Sequence, residues 1–180
     1  MWRALVRSYT KEKRGADAMR AVVKLVALND RAVDDDDVVE AITSAAQGPA
    51  ESSDAAFTMM ESGLGTKGPD ILYDLSTTKG LTPRTASRVK QTLAKPEVKS
   101  RMSPALAVAI DVKNASGCEA KRALLSRAKE QGDSRVLGSL RAYLAPRGCG
   151  FLGLGDCWSC MRRDNALGST IAAIEERTTK

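Results

Sequence analysis

The feature that most constrains this chain is a helical apolar period that restarts at nearly constant intervals. Ala18, Val22, Val23, Leu25 and Val26 form one stripe on a segment from about residue 16 to 29, and Val38, Val39, Ile42, Ala45 and Ala46 form the next. Between them, Asp34–Asp37 place negative charge where a helix start is electropositive. Ser53 or Asp54 is positioned to cap a helix carrying Ala55, Ala56, Met59 and Met60. Gly63 should stop that helix, and Pro69 starts another with Ile71, Leu72 and Leu75. The pattern returns at 82–93 and 103–112, with Pro83 and Pro104 just inside helix starts. It returns again at 118–131 and 133–144, where Ser116 and Glu119 make a capping box, Gly132 a break and Asp133 a cap.

Aligned on Val26, Met60, Leu93 and Leu125, the copies step by 34, 33 and 32 residues, the period of a helix hairpin. One hairpin cannot bury its apolar face, so stacked hairpins sharing a continuous core are expected. The expected fold is therefore all-α: stacked antiparallel helix hairpins forming an α-solenoid, or a compact bundle derived from one. Residues 1–144 would be the helical-repeat domain, and 145–180 a Cys-rich loop and C-terminal helix capping it. Strands are not expected, because Val, Ile and Thr rarely alternate with polar residues.

The unit running from Cys118-Glu-Ala-Lys-Arg-Ala-Leu-Leu to Gly132-Asp133-Ser-Arg-Val-Leu-Gly-Ser-Leu resembles a HEAT-type repeat. "GLGTKGPDILYDL" (63–75) and "GCGFLGLGDCWSCMRRDNAL" (148–167) are similar to the C-terminal region of myxobacterial serine/threonine-kinase-like membrane proteins. That resemblance implies a region outside the cytoplasm, beyond a kinase domain and a membrane span, with no assigned chemistry. This sequence contains neither kinase nor span, so it implies no kinase activity here.

Histidine is absent, which removes His-based nucleophile activation, His general bases and His-containing metal sites. An enzyme would have to work through carboxylates, lysines or cysteines, and a non-catalytic module is expected. Gly63-Leu-Gly-Thr-Lys-Gly68 spells a dinucleotide fingerprint but follows a helix rather than a strand, so it is read as an inter-helix turn. Asp34–Asp37 are contiguous, unlike the alternating ligands of a calcium loop. Trp2, Phe57, Tyr73 and Tyr143 are read as packing residues.

Three readings compete for Cys118, Cys149, Cys157 and Cys160. Two disulfides would staple a segment too poor in apolar residues to order itself. One structural zinc held by all four is the second, and free thiols or a redox pair at Cys157-Trp-Ser-Cys160 the third. Two disulfides are the preferred reading. Helices 118–131 and 133–144, nearly equal in length, would return the chain to Cys118 as Cys149 is reached. That joins Cys118 to Cys149 and leaves Cys157 for Cys160, with the crossed connectivities open. No cofactor is expected otherwise.

Charge is segregated along the chain. Residues 34–80 hold two bases and ten acids, and 81–147 fourteen bases and five acids. Lys121, Arg122, Lys129, Arg135, Arg141, Arg147, Arg162 and Arg163 could form a basic face for nucleic acid, although few aromatics accompany them for base stacking. No apolar stretch is long enough for a membrane span, and residues 1–15 are basic rather than signal-like. The function expected is protein–protein interaction or scaffolding, in the manner of an extracytoplasmic sensor of a bacterial signalling protein. The alternatives are nucleic-acid binding through 81–147 and a Cys-based metal or redox role. Disulfides would favour an extracytoplasmic location, and their absence a cytoplasmic one.

Overall fold

The computed structural model describes residues 1–146 and 155–179, and among these every regular element is helical. None of their helices is long and apolar enough to cross a membrane. The chain divides into two compact units, Met1–Ser103 and Pro104–Lys180. The C-terminal helix therefore belongs with 104–144; the sequence reading placed 145–180 on the same domain as the helices before it.

The first unit opens with α1 (Trp2–Lys11), whose Trp2, Leu5, Val6 and Tyr9 follow the helical period. Lys13 takes the left-handed conformation (φ 58°) in the short turn. The chain then continues into α2 (Gly15–Leu28), which α1 contacts. A 3₁₀ turn leads to α3 (Asp36–Ala46), with Asp36 and Asp37 in its first turn, where the macrodipole favours them. Three acids of that cluster also make ion pairs: Asp34 with Lys67, Asp35 with Arg3 and Asp37 with Arg7.

Next comes α4 (Ala50–Thr58), which starts after Pro49, ahead of the expected caps. Ser53 and Asp54 lie inside it, where Ser53 Oγ donates to Ala46 O (3.0 Å) and Asp54 pairs with Arg88 (2.5 Å). A π-helical turn, Met59–Gly63, joins it to α5 (Lys67–Thr77). Gly65 (φ 53°) makes the turn. Gly68 fits because any Cβ there would strike the Met60 carbonyl oxygen. The unit ends with α6 (Pro83–Ala94), capped by Thr82 Oγ1 on Thr85 N (3.2 Å), and the short α7 (Pro96–Lys99). Helices α1 to α4 pack in chain order, and Met19, Ile42, Phe57, Met60 and Leu72 are the large buried side chains of their core.

In the second unit, α8 (Pro104–Asn114) is followed by α9 (Cys118–Ala123), α10 (Leu125–Gln131) and α11 (Ser134–Ala142). A 3₁₀ segment, Ser159–Asn165, then leads into α12 (Ala166–Thr178). Asp133 caps α11 as expected, through Arg135 N at 2.9 Å. The expected capping box does not form. Gly117 (φ 80°) is the N-cap of α9 without a side-chain bond, and Glu119 turns to Arg163 instead.

The expected hairpins are only partly present as pairs. The helices of the third, α6 and α8, fall in different units. Those of the fourth pack chiefly against others: α10 and α11 both contact α8 and α12. Leu125, Val136, Leu140, Met161, Leu167 and Ile174 fill the core between them.

Candidate functional site

The residues singled out by sequence converge in the second unit. Cys118, Lys121 and Arg122 share one face of α9 through their i, i+3, i+4 spacing. Cys118 is joined to Cys160, with their Cα atoms 6.0 Å apart. This corrects the expected pairing of Cys118 with Cys149 and of Cys157 with Cys160. The helix from 118 is interrupted at Leu124, so the equal-length argument fails. Burial of Cys160 and Met161 holds the 3₁₀ segment against α9 and brings Cys160 to Cys118. Cys157 is also disulfide-bonded. Cys149 and Arg147 lie outside the described residues.

Lys121 is 5% exposed, and its charge is directed inward. Its Nζ donates to Val112 O (2.6 Å) and more distantly to Lys113 O (3.4 Å), carbonyls in the last turn of α8, where a cation is favoured. It also faces the rings of Tyr143 and Trp158 at 5.3 and 5.6 Å, which pack 4.7 Å apart. Arg122 donates to Cys160 O (3.2 Å) and pairs with Asp164 (2.8 Å). Arg162 donates to Tyr143 O (2.9 Å) and to Asp156, and that guanidinium holds the Asp156 carboxyl below its ordinary range.

Arg135 pairs with Asp133 (3.4 Å), Arg141 with Glu175 (2.5 Å) and Arg163 with Glu119 (3.3 Å). Of the expected basic face, Lys129 alone is exposed with no side-chain partner among the described residues. The basic stretch 81–147 is moreover shared between the two units. Chemically, this region is a staple beside one buried lysine and two arginines, Arg122 and Arg162, that donate to backbone carbonyls.

A different surface has the shape of a binding site, and it lies within the first unit. Trp2, Leu5 and Tyr9 on α1, Ala16, Met19 and Val23 on α2, and Ala55 on α4 line a groove of about 500 Å³. Val23 is 48% exposed there. At one end Arg14 stacks on the Tyr9 ring at 4.5 Å. Asp17 accepts from Arg20 (2.5 Å) and Arg14 (2.9 Å), and these bonds hold its carboxyl below the ordinary range. Arg20 also reaches Glu51 at 4.0 Å. Lys24 lines the same groove and has no hydrogen-bond or ion-pair partner among the described residues.

Sequence reading placed Trp2 in the core, whereas it is half-buried in this groove; of the four aromatics read as packing, Phe57 alone is fully buried. The spacing of Trp2, Leu5 and Tyr9 was the available signal for α1, masked by the basic residues interleaved with it. Comparison with protein-family models, curated proteins and solved structures found no significant match to this chain.

Proposed function

We propose that this chain is a non-catalytic protein-binding module and that its docking surface is the groove between α1, α2 and α4. The observation that carries this reading is the apolar lining of that groove, with Val23 of α2 half exposed in it. The exposed large apolar side chains of α2 are Val23 and Leu28, whereas Leu25 and Val26 pack partly against the core, and Asp17, Arg20 and Lys24 are its charges. Val23 lies off the side of α2 that Ala18, Met19, Ala21 and Val22 bury in the core, and it joins Trp2, Leu5 and Tyr9 along the groove. A contiguous apolar patch left open on a soluble unit marks an interaction surface.

Helical-repeat, HEAT-like character belongs to the same proposal, supported by the chain-order packing of α1 to α4. The Cys118–Cys160 disulfide supports an extracytoplasmic setting, in keeping with the sensor or scaffold part of a bacterial signalling protein. Nucleic-acid binding draws less support, because most of the candidate cations are already matched by carboxylates.

The test is a photo-crosslinking residue placed at Val23 and exposed to an extract of the source cells. Discrete protein adducts identified by mass spectrometry are expected, and they should disappear in a Tyr9→Asp background. Adducts of the same identity from a control position on α6, such as Lys90, would sink the reading.

A further inference from the structure

We infer that the groove of the first unit receives an amphipathic helix with an acidic flank, a conclusion that rests on the protein-binding reading above. Shape gives the first half of the argument. The wall formed by α1 is 10 residues long, roughly 15 Å, and presents Trp2, Leu5 and Tyr9 at i, i+3 and i+7, the register in which a helix contacts another helix lying along it. The facing positions Ala16 and Ala55 are small, which leaves room for a backbone-bearing cylinder to approach. A row of apolar side chains along the length of α1 suits a helix laid in a groove better than a compact small ligand.

Charge gives the second half. Asp17 is shared between Arg20 and Arg14, and Arg20 extends to Glu51, so this end of the rim is matched internally. Lys24 is the groove's unmatched charge among the described residues. An incoming acid gains a partner there, and an incoming base meets a like charge. The same reasoning disfavours a second copy of this chain, whose identical face would oppose one Lys24 with another near a two-fold axis.

The experiment uses the full chain and a panel of dye-labelled helical peptides of roughly sixteen residues, each with leucines at i, i+3, i+4 and i+7. One set carries glutamate beside the leucine stripe and the other lysine at the same positions. Fluorescence anisotropy should show the glutamate peptides binding roughly fivefold tighter or more at low salt, with the gap shrinking as salt rises. Lys24→Glu should reverse the preference. Val23→Gln should weaken both sets, and since Val23 is half exposed its replacement leaves folding intact. Equal affinities for the two sets, or no reversal by Lys24→Glu, would overturn the acidic-flank proposal. So would binding of decanoate, read by Trp2 emission in a Trp158→Phe background, with no peptide bound. So too would a sedimenting dimer lost on Val23→Gln. If the Val23 crosslinks persist while peptide preference is absent, the partner chemistry is wrong and the protein-binding reading stands; if both fail, that reading falls as well.

Discussion

The two units solve one problem in different ways. The first packs α1 to α4 through small residues and contains no cysteine. Built Cβ atoms at Gly15 and Gly48 would come within 2.9 and 2.8 Å of Ser52, and its core includes a run of buried alanines beside Phe57 and Met60. The second is shorter, and its last helix follows a glycine-rich stretch that offers little to bury. There the Cys118–Cys160 bond, the Lys121 contacts to the end of α8 and the Arg162 contacts to Tyr143 tie α8, α9, the end of α11 and the 3₁₀ segment Ser159–Asn165 to one another. A unit with sufficient close-packed helix surface needs no crosslink and can leave one side of α2 open. A smaller unit with a poor segment uses covalent and cationic ties directed inward.

Breaking the staple should produce the largest effect. The bond closes a sequence separation of 42 residues, for which the chain-entropy model gives about 4 kcal/mol. Cys118→Ser with Cys160→Ser should therefore lower the stability of the second unit by roughly that amount. Hydrogen exchange resolved by peptide should show the loss in α9 to α12. Protection in α1 to α6 that fell equally would contradict the division of labour described above.

The matching disruption of the first unit is Gly68→Ala. Its methyl group would meet the Met60 carbonyl oxygen, a backbone atom that cannot swing aside as a flexible side chain could. Overpacking of this kind costs about 1–3 kcal/mol. Chemical denaturation would measure it, and a variant as stable as the parent would show that the α4–α5 turn yields more readily than its geometry implies.

A third, smaller effect tests whether Lys121 is a tie or merely a tolerated charge. Lys121→Met keeps the apolar stem and removes the ammonium from Val112 O and from the Tyr143 and Trp158 rings. The expected loss is about 1–2 kcal/mol, from a carbonyl left without its donor. Unchanged stability would mean that desolvating the ammonium cancels what it gains.

Legibility in the sequence followed the distance over which each signal acts. The stripes at 16–29, 34–46, 82–93 and 103–112 yielded α2, α3, α6 and α8 because apolar period, acids at a helix start and proline at the first turn all operate within one or two turns. Ser116 and Glu119 misled because a good capping pair competes with tertiary partners, and Arg163 won Glu119. The expected recurrence at 34, 33 and 32 residues does not say which neighbour a helix packs against, and α10 and α11 pack on α8 and α12. The cysteine pairing failed for the same reason: it depended on the burial of Met161 and Cys160, a packing event far from Cys118 in sequence. The groove was missed because α1 carries Arg3, Arg7 and Lys11 between its apolar residues, and the charges were read without the stripe beneath them.

The smallest expected effect separates the units by their surface carboxylates. Asp17 in the first is held below its ordinary range by Arg20 and then Arg14, and Asp156 in the second by Arg162. A carboxyl whose pKa is lower in the folded state than in the unfolded chain contributes stability above the unfolded value, about 3.9, and loses it as pH falls through the folded one. Asp17→Asn should therefore lower the melting temperature slightly at pH 7, and the difference from the parent should close as the solution is acidified below the ordinary carboxylate range. High salt should shrink it too, since these groups lie at the surface. Asp156→Asn should follow the same pH trend with a smaller amplitude. Asp156 has one arginine partner where Asp17 has two, and the disulfide at Cys160 already holds the chain nearby. A difference that stayed constant from neutral pH to well below the carboxylate range would show that Asp17 acts through packing rather than charge, and a larger effect at Asp156 would show that the staple leaves its neighbouring segment dependent on ion pairs.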